Sequence, residues 1–183
     1  MILPIYTYGN AVLRKQTEPV PATYPELNTL ISDMYETMYH AEGVGLAAPQ
    51  IGLSIRLLVI DLAPFKEDDP ILGAFKIAMI NPTILERSAE EVTAEEGCLS
   101  IPGIHEMVVR SEKIKIRYQD TDFIEHTEEF EGYKARVVQH EYDHLEGHLF
   151  TDRVTPLRRQ LLKSRLTNIV KGKSTCSYKV KTA

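Results

Sequence analysis

Two histidines stand four positions apart in QHEYDHLEG (139–147), His140 and His144, and Glu141 directly follows the first. On a helix such a pair lies one turn apart on the same face, so both imidazoles can point at one ion. Glu141 is turned about 100° from His140. That is too far round for a natural third ligand but near enough to reach a water that the ion holds. The set suits metal-assisted hydrolysis, in which two residues hold a cation and a third moves protons. A catalytic ion also needs a further protein ligand and a position open to solvent. Cys98, Cys176, His105, His126, His148 and several carboxylates are candidates. Cys98, in EEGCLSIPG (95–103), follows a glycine that permits close backbone approach and precedes an apolar run ending at a proline. Its thiolate would be a strong ligand for a borderline divalent ion. Cys176 lies in a polar, basic tail and is expected to take no part. His140, Glu141 and His144 would equally serve a zinc endopeptidase, and a metal could also merely stabilise a non-catalytic module.

These residues need a scaffold, and the hydrophobic periods supply one. In PELNTLISDMYETMYHAE (25–42), Leu27, Leu30, Ile31, Met34 and Met38 have the spacing of an amphipathic helix. Pro25 suits its first turn and Gly43 the position just past its end. IRLLVIDL (55–62) and FKIAMINPTIL (75–85) read as strands, the first buried, with the polar loop PFKEDDP between them. In EKIKIRYQD (112–120) Ile114, Ile116 and Tyr118 alternate with charged residues, the mark of a half-exposed strand. A short strand is expected over HTEEFE (126–131). Residues 132–147 then switch to helical period, which puts Tyr133, Val137, His140 and His144 in one stripe. Thr155-Pro156 opens a last helix to about Lys171, cap followed by proline. The remaining GKSTCSYKVKTA has strand-like alternation at best and is expected to fray. The fold class is therefore α+β, with short antiparallel sheets packed around a central metal-binding helix and a C-terminal helix.

A length of 183 residues suits one domain with a real core. The expected division is a catalytic unit over 1–155 and a basic helix and tail over 156–183, within the same domain or appended to it. Ordinary hydrophobic (43%) and charged (26%) fractions point to a soluble globular protein. No apolar run has the length of a membrane span, the start MILPIYTYGN lacks a secretory pattern, and two cysteines make no disulfide framework. A cytoplasmic location follows as the expectation. The net charge of −5 hides an asymmetry: residues 156–183 hold eight Lys or Arg and no acid. Such a terminus can be a solvated face or can contact an acidic partner, nucleic acid included.

Three segments in this order, GVGLAAPQIG (43–52), EGCLS (96–100) and QHEYDHLEG (139–147), closely resemble the signature motifs of the peptide deformylase family. The resemblance runs from ILPIYTYGNAVLR to about residue 154. It implies a hydrolase that removes the formyl group from the N-terminal formylmethionine of nascent polypeptides and releases formate. It further implies Cys98, His140 and His144 as ligands of one divalent ion, usually Fe²⁺, with Zn²⁺ or Ni²⁺ able to substitute. Glu141 would be the acid/base, with Gln50 and the Leu99 N–H facing the reacting carbonyl. Val44 and Gly45 would offer backbone groups to an extended substrate, and Tyr133 and Val137 would line a slot for its methionine side chain. One thiolate and two neutral imidazoles would leave such an ion a net +1, enough to acidify bound water. Relatives of this architecture can bind the ribosome through a basic C-terminal helix, so a ribosome contact is expected here too. Four departures stand out: Arg136 where many relatives have a small or apolar residue, His105 in the loop region after IPG where many have arginine, TDFIEHTEE (121–129) without the glycine turn common before the metal helix, and the extension over 172–183.

Overall fold

Leu27, Ile31, Met34 and Met38 are all buried on one face of helix α1 (Leu27–His40), as their spacing requires. Each such side chain contributes roughly 1.5–3 kcal/mol by leaving water. The computed structural model describes residues 1–183 and extends this logic through the chain. In order, its elements are β1 (Ile5–Tyr6), α1, β2 (Gly45–Ala47), β3 (Leu57–Asp61), β4 (Lys76–Arg87), β5 (Glu91–Cys98), β6 (Ile101–Ser111), β7 (Lys113–Gln119), β8 (Glu125–Glu131), α2 (Gly132–Leu145), α3 (Pro156–Val170) and β9 (Val180–Lys181).

An antiparallel sheet of order β2-β3-β4-β7-β8 forms one side. A β5-β6 hairpin forms the other, and β1 pairs in parallel with β9. Helix α2 lies between the large sheet and the hairpin, touching β2, β3, β7, β8 and β6. One apolar cluster joins α1 to the sheet and a second joins α2 to it. The third gathers Ile101, Ile104 and Val108 of β6 with Leu162, Leu166 and Ile169 of α3. Alternation explains β7, where Ile114, Ile116 and Tyr118 are buried between exposed neighbours. The α+β class, with short sheets around a central helix and a C-terminal helix, is the one expected.

Several local readings need correction. Pro25 lies before α1 and not in its first turn, because Glu26 takes a left-handed φ of 51° and breaks the helical path. Gly43 does not end that helix either, since Glu42 supplies the left-handed residue (φ 57°). A Cβ at Gly43 would instead meet the Leu99 side chain at 2.7 Å, so the glycine lets that leucine pack close to the backbone. His105 sits on β6 and not in a loop. The tail is not frayed: Val180 and Lys181 pair with Ile5 and Tyr6. Thr155 caps α3 as expected, accepting the Arg158 N–H at 3.3 Å.

Candidate metal centre

The i, i+4 pair on α2 meets the cysteine at the end of β5. One ligand atom each from Cys98, His140 and His144 lie within 4.8 Å of one another. Cys98 Sγ is 3.4 Å from His144 Nε2. His140 donates from Nδ1 to Glu96 Oε2 at 2.8 Å, which orients the ring and leaves Nε2 as the nitrogen where an ion would replace a proton. Burial opposes a charge on His140, but the Cys98 sulfur and the Glu96 carboxylate outweigh it and raise its pKa well above the ordinary value. Burial and the neighbouring His140 push His144 down to about 3, so that imidazole is neutral. Its Nδ1 has no partner. A soft sulfur, an oriented imidazole and a neutral imidazole, all converging, fit one divalent ion.

Glu96, which sequence reasoning left out, organises this group. It accepts Arg110 Nε at 2.6 Å and Nη2 at 2.9 Å, and Arg136 Nη1 at 2.8 Å, in addition to His140. Burial alone would raise its pKa, yet the bonds from His140 and Arg110 hold it far below the usual carboxylate range. Arg136 also donates to the carbonyls of Val108 and Val92, which accounts for an arginine at that position. Asp143 pairs with Arg110 and also with Arg153. Burial would raise the pKa of Asp143 too, but Arg153 and Arg110 bring it below its ordinary value.

Both carboxylates therefore bind a proton more weakly folded than unfolded. Their stabilisation is present above the unfolded pKa and is lost as pH falls. The melting temperature should drop steeply from about pH 4 downward. Asp143→Asn should flatten that drop. A melting temperature equal at about pH 5 and pH 3 would contradict this reading.

Cys98 and His140 open onto a cleft of about 510 Å³, with His144 buried behind them. Glu141 and Gln50 line it, with Val44 and Gly45 on one wall and Tyr133 and Val137 on α2. Burial raises Glu141 to about 7, against the lowering effect of His140, and its Oε2 has no protein partner. Gln50 Oε1 accepts the Ala47 N–H at 2.8 Å, which turns its amide nitrogen toward Ser100 Oγ (3.2 Å) and Cys98 Sγ (3.4 Å). The Leu99 N–H has no acceptor within the protein. Strand β2 is a sheet edge. The Val44 carbonyl is already taken by the Asp61 N–H. Alternation along an antiparallel pair therefore leaves the Gly45 backbone groups facing outward.

A Cβ at Gly45 would overlap the Glu141 carboxylate. Gly45→Ala should thus displace that group and lower kcat by about 10²-fold while metal content stays at wild-type level. Unchanged kcat would show that the approach is not needed.

The family model described as polypeptide deformylase matches residues 2–160. The chain belongs to the polypeptide deformylase family. A peptide deformylase from Christiangramia forsetii is 48% identical, over 99% of this chain and 96% of that one. One from Salinibacter ruber is 45% identical, over 97% and 93%. Among solved structures, peptide deformylase from Thermotoga maritima superposes with a TM-score of 0.77 at 47% identity, over 85% and 99% of the two chains. That from Legionella pneumophila gives 0.82 at 39%, over 96% and 100%. The chain is accordingly a metal-dependent hydrolase that removes the N-formyl group from nascent peptides.

The structure places the ten site residues expected from the sequence in or beside one cleft. Cys98, Glu141, Gln50, Leu99, Val44, Gly45, Tyr133, Val137 and His140 line the cleft, and His144 lies buried behind it. Cys176, expected to be idle, also lines the cleft, as does His105, whose ring covers Gly97. No helix is long and apolar enough to cross a membrane.

Proposed function

We propose that Cys98, His140 and His144 hold one divalent ion, resident as Fe²⁺, and that deformylation takes place in the cleft above it. The convergence of those three donors at the foot of a cleft also lined by Glu141 and Gln50 carries the reading. Thiolate and imidazole donors accept iron, nickel and zinc alike; Fe²⁺ rests on the motif resemblance. Such an ion supplies Lewis acidity and solvent acidified to near neutrality.

The protein's own groups do the rest. The Gly45 backbone pairs with the extended peptide as an added strand, beside the Val44 side chain. Val137 and Tyr133 receive the methionine side chain. Glu141 takes a proton from the water attacking the formyl carbon and returns it to the amine as the C–N bond breaks. Formate and a free amino terminus leave. The Gln50 amide and the Leu99 N–H donate to the oxyanion in between, each such donor typically contributing about 10²–10³ in rate.

The test is formate release from formyl-Met-Ala-Ser by anaerobically purified protein, with metal analysis. Formate without cleavage of internal peptide bonds supports the reading, and internal cleavage would favour a zinc endopeptidase. An iron content no higher than that of zinc or nickel would overturn the assignment of the ion.

We also propose a cytoplasmic location and a ribosome contact through the basic C-terminal segment. Arg158 is committed to Glu106, Arg159 to the carbonyls of Thr151 and Asp152, and Arg165 to that of Gly103. Lys163, Lys171, Lys173 and Lys179 remain exposed without an acidic partner. Deleting 156–183 would be a poor test, because Leu162, Leu166 and Ile169 fill the core. Reversing the charge of Lys163, Lys171 and Lys173 together should abolish co-sedimentation with ribosomes, and unchanged co-sedimentation would refute the contact.

A further inference from the structure

After α3 the chain turns at Gly172 (φ 67°) and runs back along the cleft, where Thr175, Cys176, Ser177 and Tyr178 line the same cavity as Cys98 and Glu141. It ends in β9, paired with β1. On the way, the Tyr178 hydroxyl donates to the Leu99 carbonyl at 2.7 Å. The next carbonyl, that of Ser100, accepts the Tyr8 N–H at 2.8 Å, and Tyr8 lies two residues past β1. Ser100 Oγ in turn accepts Gln50 Nε2. The paired ends of the chain thus grip two successive carbonyls of the segment that carries the thiolate. Leu99 is left with its carbonyl held and its N–H free, so the hold on one peptide plane sets how the other is presented. Leu99 lies in a turn between β5 and β6, where no strand pairing performs this task. The Tyr178 ring is also partly buried against the α1 cluster, a contact that does not involve its hydroxyl.

We propose that Tyr178 is a positioning residue for deformylation, its hydroxyl orienting the Leu99 backbone so that the free N–H is aimed at the oxyanion. The inference rests on the role given to Leu99 above. It places in the active site a segment that lies beyond the residues matched by the family model.

Tyr178→Phe removes one oxygen and keeps the ring. With formyl-Met-Ala-Ser as substrate, kcat should fall about three- to tenfold, the scale of one neutral hydrogen bond. KM, bound metal per chain and melting temperature should stay at wild-type values. Tyr178→Leu should show at least the same loss in kcat, since it lacks the hydroxyl as well. Wild-type kcat in Tyr178→Phe overturns the proposal and leaves the deformylase reading intact. A fall in kcat matched by loss of metal or of melting temperature in both variants also overturns it, because the tyrosine would then be only a structural support. Absence of formate release by the wild-type protein would refute the functional reading first and this inference with it.

Discussion

Glu141→Ala should retain its metal ion at full stoichiometry and lose formate release by about 10²–10⁴-fold, the range general acid–base catalysis contributes. The carboxylate is not among the three converging donors, so its removal leaves the ion's ligands in place. Its Oε2 has no protein partner, so truncation strands no donor. Burial holds its pKa near 7, which means that the fold resists its charge. Removing it should therefore leave the melting temperature unchanged or raise it. Cys98→Ala should do the reverse, losing the metal together with the activity. Metal analysis beside a single-turnover formate assay separates the two. A Glu141→Ala protein within tenfold of wild-type kcat would falsify the proton-transfer role.

The second large effect concerns stability. Glu96→Ala should cost about 3–5 kcal/mol, because it leaves buried guanidinium groups without their counter-charge. Arg110 and Arg136 are each less than 10% exposed, and both bond to this one carboxylate. Asp143 still faces Arg110 and keeps that side chain from being wholly orphaned, while Arg136 retains only backbone carbonyls. His140 loses the partner that orients its ring, so metal affinity should fall by about 10–100-fold as well. Urea unfolding of the metal-free proteins isolates the first loss, and competition with a chelator measures the second. A stability loss under about 1 kcal/mol would mean that the arginines relax to solvent and that the network is not a structural keystone.

The ligand helix was legible because its chemistry and its period coincide in a few residues: the stripe from Tyr133 to His144 needs only 3.6 residues per turn to be drawn. Strand β7 was legible for the same reason, with period two, and β3 as a short, continuous apolar run. The β5-β6 hairpin was not, because Glu96, Glu106 and Arg110 point inward where apolar residues would be expected. The ion pairs that make those positions tolerable join residues such as Glu96 and His140, 44 positions apart, and no local pattern records such a pairing. The placement of Cys176 and Tyr178 beside the cleft was hidden likewise. The tail looks like disordered basic sequence until its partner strand at the other end of the chain is known. Arg136 read only as a departure from many relatives, and the structure shows an internal counter-charge to Glu96.

The β1–β9 ladder has a consequence for biosynthesis. Its two strands are separated by nearly the entire polypeptide, so it is among the contacts of highest loop-closure cost and should form late. Ile5 and Tyr6 emerge from the ribosome early and must wait, their hydrogen-bonding edge unmet, until Val180 and Lys181 have followed. An enzyme that trims newborn chains is thus itself unable to complete this seam until every residue from Ile5 to Lys181 has been made.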